Sequence, residues 1–261
     1  ERSRGLGDVY KRQVQNISML ACDESVAPLT RAMTSIKKFN RMSESEVITP
    51  SKVCDEMVGL LPEEGLKEIV SNQDKFLDIA SKSGEYAVSL YKRLTSDLGY
   101  SHEDVKDIIY SIPTSSIAYE FTRRFYEILD INVENIAAGF NAYDLINVKN
   151  DKDEVDYERI SSLLRQKRGF SKITLRDEIK AGEKIVKFGA VIGNPPYQKG
   201  ISEEKLNSSL SKQLFPYYTI LSMEITTNIS SLIIPARWFA GDAQDLSLIH
   251  ISEPTRPLYI S

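Results

Sequence analysis

Phe188-Gly189-Ala190-Val191-Ile192-Gly193-Asn194-Pro195-Pro196-Tyr197 is the stretch on which the fold turns. Its apolar first half, with the residues just before it, predicts a buried strand over 186–192. The second half stops that strand abruptly. Two consecutive prolines donate no backbone hydrogen bonds and each restricts the residue before it, so the turn is stiff and its carbonyl groups are left as acceptors. In an open α/β sheet the carboxyl ends of strands are where ligands sit, which places Asn194, Pro195, Pro196 and Tyr197 at a binding edge.

Outward from this point, helix-like and strand-like segments alternate, the pattern of a largely parallel α/β sheet. Upstream, a helix is expected over 28–39, carrying Lys37 and Lys38 with Arg41 close behind. A second helix follows with Thr49 as its cap, Pro50 at its first position, and Val53, Met57, Leu60 and Leu61 at helical spacing. Then come a strand over 75–80, helices over 85–94 and 103–110, a strand over 111–114, a helix over 117–129 and a strand over 135–138 that leads to Tyr143-Asp144. An acidic loop at 150–154 and a basic run at 165–168 precede the decisive strand. A long helix over 204–225 and a strand over 231–234 follow it.

Composition sets the frame. The chain has 261 residues, 41% of them hydrophobic, which is enough for one sizeable α/β domain with a small additional element. With 33 basic against 37 acidic residues and a net charge of -4, there is no global attraction to a polyanion, so any contact with nucleic acid has to be local. Cys22 and Cys54 have neither metal-ligand spacing nor a disulfide framework. The histidines are His102 and His250, and His102 sits in Ser101-His102-Glu103-Asp104, a polar helix start, so neither a histidine base nor a histidine-rich metal site is expected. No apolar run approaches the roughly 20 residues needed to cross a bilayer. These features predict a soluble, cytoplasmic protein without a metal or a membrane partner.

The turn suits one demanding task, the alkylation of a planar amino group whose lone pair is delocalised into a ring. If the Asn194 side-chain oxygen and the Pro195 carbonyl both accept hydrogen bonds from that amine, its nitrogen is drawn toward tetrahedral geometry and the lone pair is freed. Acceptors fixed in advance also stabilise the positive charge that develops on the nitrogen. Tyr197 is placed to stack on the base, and a base inside a duplex has to be flipped out to reach such a pocket.

An Asn-Pro-Pro-Tyr step at the end of a strand resembles the catalytic motif of amino-methyltransferases, most often the adenine-specific DNA enzymes of restriction-modification systems. The resemblance covers roughly residues 46–246 and implies a Rossmann-like sheet, S-adenosyl-L-methionine as cofactor, and Asn194, Pro195, Pro196 and Tyr197 as the catalytic group. Glu46-Val47-Ile48-Thr49-Pro50 resembles the segment that lines the methionine end of the cofactor, which implies cofactor contacts at Thr49 and Pro50; it is also a helix start. Phe76-Leu77-Asp78-Ile79-Ala80-Ser81-Lys82-Ser83-Gly84-Glu85-Tyr86 is similar to the cofactor-binding turn, usually Asp-Pro-Ala-Cys-Gly-Ser-Gly and an aromatic. It assigns Asp78, Ala80, Ser81 and Gly84 to the cofactor, with Ile79 replacing proline and Lys82 standing where a glycine allows close backbone approach. Gly84 and the helix start after it are placed to meet a carboxylate, and Lys82 adds a positive charge.

After the second strand, Ser111-Ile112-Pro113-Thr114-Ser115 offers hydroxyls where the family commonly has an acid for the ribose. Asp144 falls where the family keeps an acid against the cofactor adenine, and reads equally as a turn aspartate. Leu232-Ile233-Ile234-Pro235-Ala236-Arg237-Trp238-Phe239 resembles the fifth strand of the restriction-modification methylases. The implied partner is double-stranded DNA with a flipped target adenine, and a nuclease or helicase, fused or separate, fits the same systems. Rival readings are a protein-glutamine or RNA amino-methyltransferase, which use the same step, and an inactive methylase-like domain that only binds DNA or a partner. Arg123-Arg124 and Asp177-Glu178-Ile179-Lys180 read as solvated helix faces.

The ends read differently from the middle. Residues 1–13 and 247–261 resemble translated sequencing-adaptor tails, which leaves a helical segment at 14–45 and a catalytic core at 46–246. A core truncated in this way would lack its last strands, expose an apolar edge at residues 232–234, and have little activity alone.

Overall fold

The structure is a computed structural model that describes residues 23–37, 48–148, 156, 159–160, 187–197 and 213–235. Four strands, β1 (Phe76–Ser81), β2 (Ile109–Pro113), β3 (Phe188–Gly193) and β4 (Thr226–Leu232), form one sheet in the order β2-β1-β3-β4. All three pairings are parallel, with Asp78 opposite Ser111 on one side and opposite Ile192 on the other. Parallel neighbours need crossovers, and helices on both faces supply them. This is the Rossmann-like, doubly wound sheet that the Asn-Pro-Pro-Tyr resemblance implies.

The helices are α1 (Pro28–Ile36), α2 (Ser51–Gly59), α3 (Glu63–Asn72), α4 (Glu85–Lys92), α5 (His102–Val105), α6 (Ser116–Leu129), α7 (Ala142–Asn147) and α8 (Phe215–Glu224). One core layer packs Phe76, Ile109, Ala190 and Ile192 under α1 to α4 and α6. The opposite layer packs Leu77, Ile79, Tyr110, Phe188 and Val191 under α7 and α8. Covering on both faces explains why β1, β2 and β3 are buried along their whole length, and why β3 reads as a continuous apolar run. Gly189 lets α3 lie close to the sheet, since a Cβ there would come 2.8 Å from Ile69 Cγ1 and 3.0 Å from Asp74 Cβ.

Several expected boundaries move. The helix expected over 103–110 is a single turn, His102–Val105, closed by a capping box between Ser101 and Asp104. Ile109 and Tyr110 go to β2 instead, because an apolar run reaching both core layers gains more as a buried strand. The strand expected over 135–138 is reduced to one parallel bridge between Ile136 and Ser111, after a short 3-10 turn at Val133–Asn135. Within the described residues the helix expected over 204–225 is present as α8, which begins at Phe215 with Pro216 in its first turn, where the missing N–H costs nothing. β4 begins at Thr226, five residues ahead of the expected start, through polar residues that carry no apolar signal.

β4 is the outermost strand of the described sheet; Ile229 and Leu232 are buried, one in each core layer, and Ile233 and Ile234 are half-buried. Among the described residues no helix is long and apolar enough to cross a membrane. The two tails, Lys38, Arg41, Glu46 and Val47, the acidic loop, the basic run at 165–168, Asp177 to Lys180, the helix expected over 204–212 and residues 236–246 lie outside the described residues.

Candidate active site

From β1 the sheet extends to β2 on one side and to β3 on the other, so the chain leaves in opposite directions and a crevice opens at the carboxyl ends of β1 and β3. The Asn-Pro-Pro-Tyr turn leaves β3 there. Gly193 makes the approach possible: its φ of +154° lies in a region that L side chains rarely adopt. A Cβ on Gly193 would come 3.3 Å from Ile79 Cγ2 and 3.4 Å from Asp78 Oδ1. The turn therefore lies directly against the Asp78 end of β1, as the reading of the sequence requires.

Within the turn, Gly193 O accepts from Ile233 N at 3.0 Å, and Tyr197 O accepts from Leu214 N at 2.9 Å, which anchors both ends. Between those anchors, the Pro195 carbonyl and Asn194 Oδ1 accept no hydrogen bond among the described residues. Tyr197 is 36% exposed, with its ring edge-on to Phe215 at 6.5 Å between centroids. One aromatic surface is thus left facing outward from a fixed base.

Thr49 does not cap α2. Pro50 is the flanking residue, no side-chain cap is made, and the helix starts at Ser51. The Thr49 hydroxyl instead accepts from Asn194 Nδ2 at 3.1 Å across 145 positions of sequence. Its carbonyl accepts a long contact from Cys54 Sγ at 3.7 Å. Asp55 ties α2 to α4, accepting from Ser89 Oγ at 2.7 Å and from Lys92 Nζ at 2.8 Å. Pro50 is exposed.

Asp78 is 2% exposed, and neither of its carboxylate oxygens accepts a hydrogen bond among the described residues. Burial, with the nearby Glu85 charge adding to it, pushes its carboxyl well above the usual carboxylate range; Ser81, the Ala80 backbone and the Lys82 ammonium pull the other way. Ala80, buried in β1, contributes backbone to this wall. Burial, helped by the neighbouring Cys54, likewise pushes the Tyr86 hydroxyl up, while Thr49 beside it opposes the shift.

The turn after β1 is closed by its own side chains. Ser81 Oγ accepts from Gly84 N at 3.0 Å and contacts Thr122 Oγ1 at 3.1 Å. Glu85 accepts from Ser83 N at 2.8 Å and from Ser83 Oγ at 3.0 Å. The loop amides at Ser83 and Gly84 are therefore already taken by Glu85 and Ser81. Gly84 keeps its other role: its φ of +78° starts α4, and a Cβ would meet the Thr122 backbone at 3.3 Å.

Further along the same edge, Thr114 N donates to Ser81 O at 2.9 Å, joining the ends of β1 and β2. Beyond it lies a cleft of about 430 Å³ whose wall includes Ser115, Ile117, Glu120, Phe140 and Asp144. Asp144 does two things there: its carboxylate accepts from Asn141 N at 2.8 Å as part of a capping box, and it forms part of the cleft wall. Ser115 caps α6 by accepting from Ala118 N. Reading the sequence missed Glu120 and Phe140, because loop and helix residues converge on this cleft from separate segments. Of the hydroxyls that the sequence offers after β2, that of Thr114 is buried and takes no hydrogen bond among the described residues.

The structure thus brings Asn194 together with Thr49 and sets Gly193 against Asp78, with Ala80, Ser81 and Gly84 following in the same strand end and turn; Tyr197 packs on Phe215, and Asp144 lies in the cleft beyond Thr114. The group implied by the resemblance fits these residues. An orphaned buried carboxylate at Asp78 awaits a cationic group, and an open cleft with an aromatic and an aliphatic side chain in its wall suits a flat heterocycle.

Comparison with known proteins agrees. An adenine-specific methylase of Mycoplasma pneumoniae, itself uncharacterized, is 22% identical, with 78% of this chain and 58% of the relative covered, so the chain spans little more than half the length of that relative. The Eco57I restriction-modification methylase family matches residues 107–255, more than half of the chain, including the Asn-Pro-Pro-Tyr turn. The chain belongs to the Eco57I restriction-modification methylase family.

Proposed function

We propose that this protein methylates the exocyclic amino group of adenine in DNA, using S-adenosyl-L-methionine, as the modification activity of a restriction-modification system. The observation that supports the reading is the approach of Gly193, the residue before Asn194, to Asp78, a buried carboxyl without a hydrogen bond among the described residues. S-adenosyl-L-methionine, when bound, supplies an activated methyl group on a sulfonium. Asp78 would receive its cationic amino group, with Ala80, Ser81 and Gly84 shaping the wall beside it. The cleft with Ser115, Ile117, Phe140 and Asp144 would hold its adenine end.

The chain's own residues then do the work on the target base. Asn194 Oδ1 and the Pro195 carbonyl accept the two N–H bonds of the amine, which holds the nitrogen lone pair out of the ring system. Tyr197 offers its exposed face to a base swung out of the duplex. Pro195 and Pro196 keep the acceptors from relaxing, so little reorganisation is needed as charge develops on nitrogen. No general base is required, because the amine proton becomes acidic once the nitrogen is alkylated and passes to water.

The test is direct. The intact gene product is incubated with unmethylated DNA and methyl-labelled S-adenosyl-L-methionine, and the DNA is digested to nucleosides. Label in N6-methyladenosine of the deoxy series is the expected result, and Asn194→Ala should abolish it. Label on cytosine, on RNA or on protein alone, or no transfer at all, overturns the reading.

A further inference from the structure

We infer that Thr49 is a positioning residue for Asn194: its hydroxyl holds the asparagine amide so that Oδ1, not Nδ2, faces the target amine. This rests on the proposed function and gives Thr49 a part that the family resemblance, which assigns it to the cofactor, does not. An asparagine side chain has two chemically opposite ends, one acceptor and one double donor, and rotation by half a turn exchanges them. Only one orientation can activate an amine. The other sets N–H against N–H and repels it.

The contact that bears on this runs from Asn194 Nδ2 to Thr49 Oγ1 at 3.1 Å; a hydroxyl can also donate, so it selects this end of the amide when its own proton is turned to the neighbouring Tyr86 hydroxyl. Engaging Nδ2 on the Thr49 side leaves Oδ1 without a partner among the described residues. Thr49 is a fixed post for this purpose. It is 4% exposed, it precedes a proline and is therefore restricted to extended backbone, and the helix that follows is tied to α4 through Asp55. The post and the asparagine come from opposite ends of the sequence, so the orientation exists only when α2 is seated against the sheet.

The experiment compares Thr49→Val and Thr49→Ser with the wild type in the intact gene product, measuring kcat for DNA methylation, the dissociation constant of S-adenosyl-L-methionine by calorimetry, and the melting temperature. Losing one hydrogen bond that orients the acceptor should lower kcat for Thr49→Val by roughly tenfold, while cofactor affinity stays within about twofold. Thr49→Ser keeps the acceptor oxygen and should retain kcat. Thr49→Ala removes the oxygen without adding a methyl near Cys54, and gives the same separation of kcat from affinity if the valine variant does not fold. Weakened cofactor binding with kcat preserved overturns the inference in favour of a cofactor contact, and so does a serine variant as slow as the valine one. A wild type that binds the cofactor but transfers no methyl to adenine overturns the functional reading, and this inference with it.

Discussion

Replacing Asp78 by asparagine should make the protein more stable and, on the proposed function, unable to bind S-adenosyl-L-methionine. The carboxylate is 2% exposed, accepts no hydrogen bond among the described residues, and is pushed well above the usual carboxylate range by burial and by Glu85. In the unfolded chain the same group titrates near about 3.9. Because the folded pKa is the higher one, the folded state holds the proton over a pH range where the unfolded chain has released it. The wild type then loses stability as pH rises above the unfolded value, until the folded carboxyl has also ionised. Below about pH 4 both states are protonated, and aspartic acid and asparagine are nearly equivalent. Holding that proton at a pH where the unfolded chain has released it costs the wild type stability that asparagine does not lose, so by pH 7 the asparagine variant should be the more stable by about 1–3 kcal/mol. Urea unfolding of both proteins at pH 4, 5.5, 7 and 8.5 measures the difference, and calorimetry with S-adenosyl-L-methionine measures the accompanying loss of binding. An asparagine variant that is less stable at every pH would refute the reasoning, because the carboxylate would then be supported by contacts rather than left waiting for a cation.

Three further outcomes are expected. Gly189→Ala should destabilise the fold by about 1–3 kcal/mol, because its methyl would overlap Ile69 and Asp74 where α3 meets β3; urea midpoints check this, and an unchanged midpoint contradicts the close packing. Gly84→Ala combines a left-handed φ of +78° with a Cβ only 3.3 Å from the Thr122 backbone, so a loss of about 1–3 kcal/mol should accompany weaker cofactor binding. Cys54 is buried and its thiol is pushed up by burial and by Glu85, Asp78 and Asp55, so in native protein at pH 8 it should resist an aromatic disulfide reagent and react promptly in urea; peptide mapping by mass spectrometry distinguishes it from Cys22.

The central part of the site could be read in the sequence because its signals are local. A buried apolar strand, a glycine and two prolines determine the course of residues 188–197 with little help from the rest of the chain. The turn after β1 was legible for the same reason, although it could not be foreseen that Ser81 and Glu85 would occupy its amides. Thr49 was misread because a threonine before a proline and a helix resembles a cap, and the residue that claims its hydroxyl lies 145 positions away. Boundaries failed where tertiary burial overrode local pattern: Ile109 and Tyr110 joined β2, and the polar residues at the start of β4 became a strand by pairing with β3. Glu120 and Phe140 gave no signal at all, since a cleft is a property of neighbouring segments and not of any one of them.

The features that make the site useful are the ones a purely structural sheet would lack. Strands ending in ordinary turns would have no reason to keep a buried carboxylate without a hydrogen bond, or a glycine at φ +154° pressed against it. They meet at one point, where Gly193 lies against Asp78. A buried carboxyl without a hydrogen bond among the described residues, beside a backbone position that only glycine fills, is better explained by a ligand that partners the carboxyl than by packing. The segment from Thr49 extends this logic, because its hydrogen bond adds nothing to the sheet and everything to which end of Asn194 is presented. If that orientation is what α2 provides, then seating α2 serves the chemistry as well as the core. Disrupting the Asp55 tie to α4 should then slow methyl transfer more than it lowers the melting temperature.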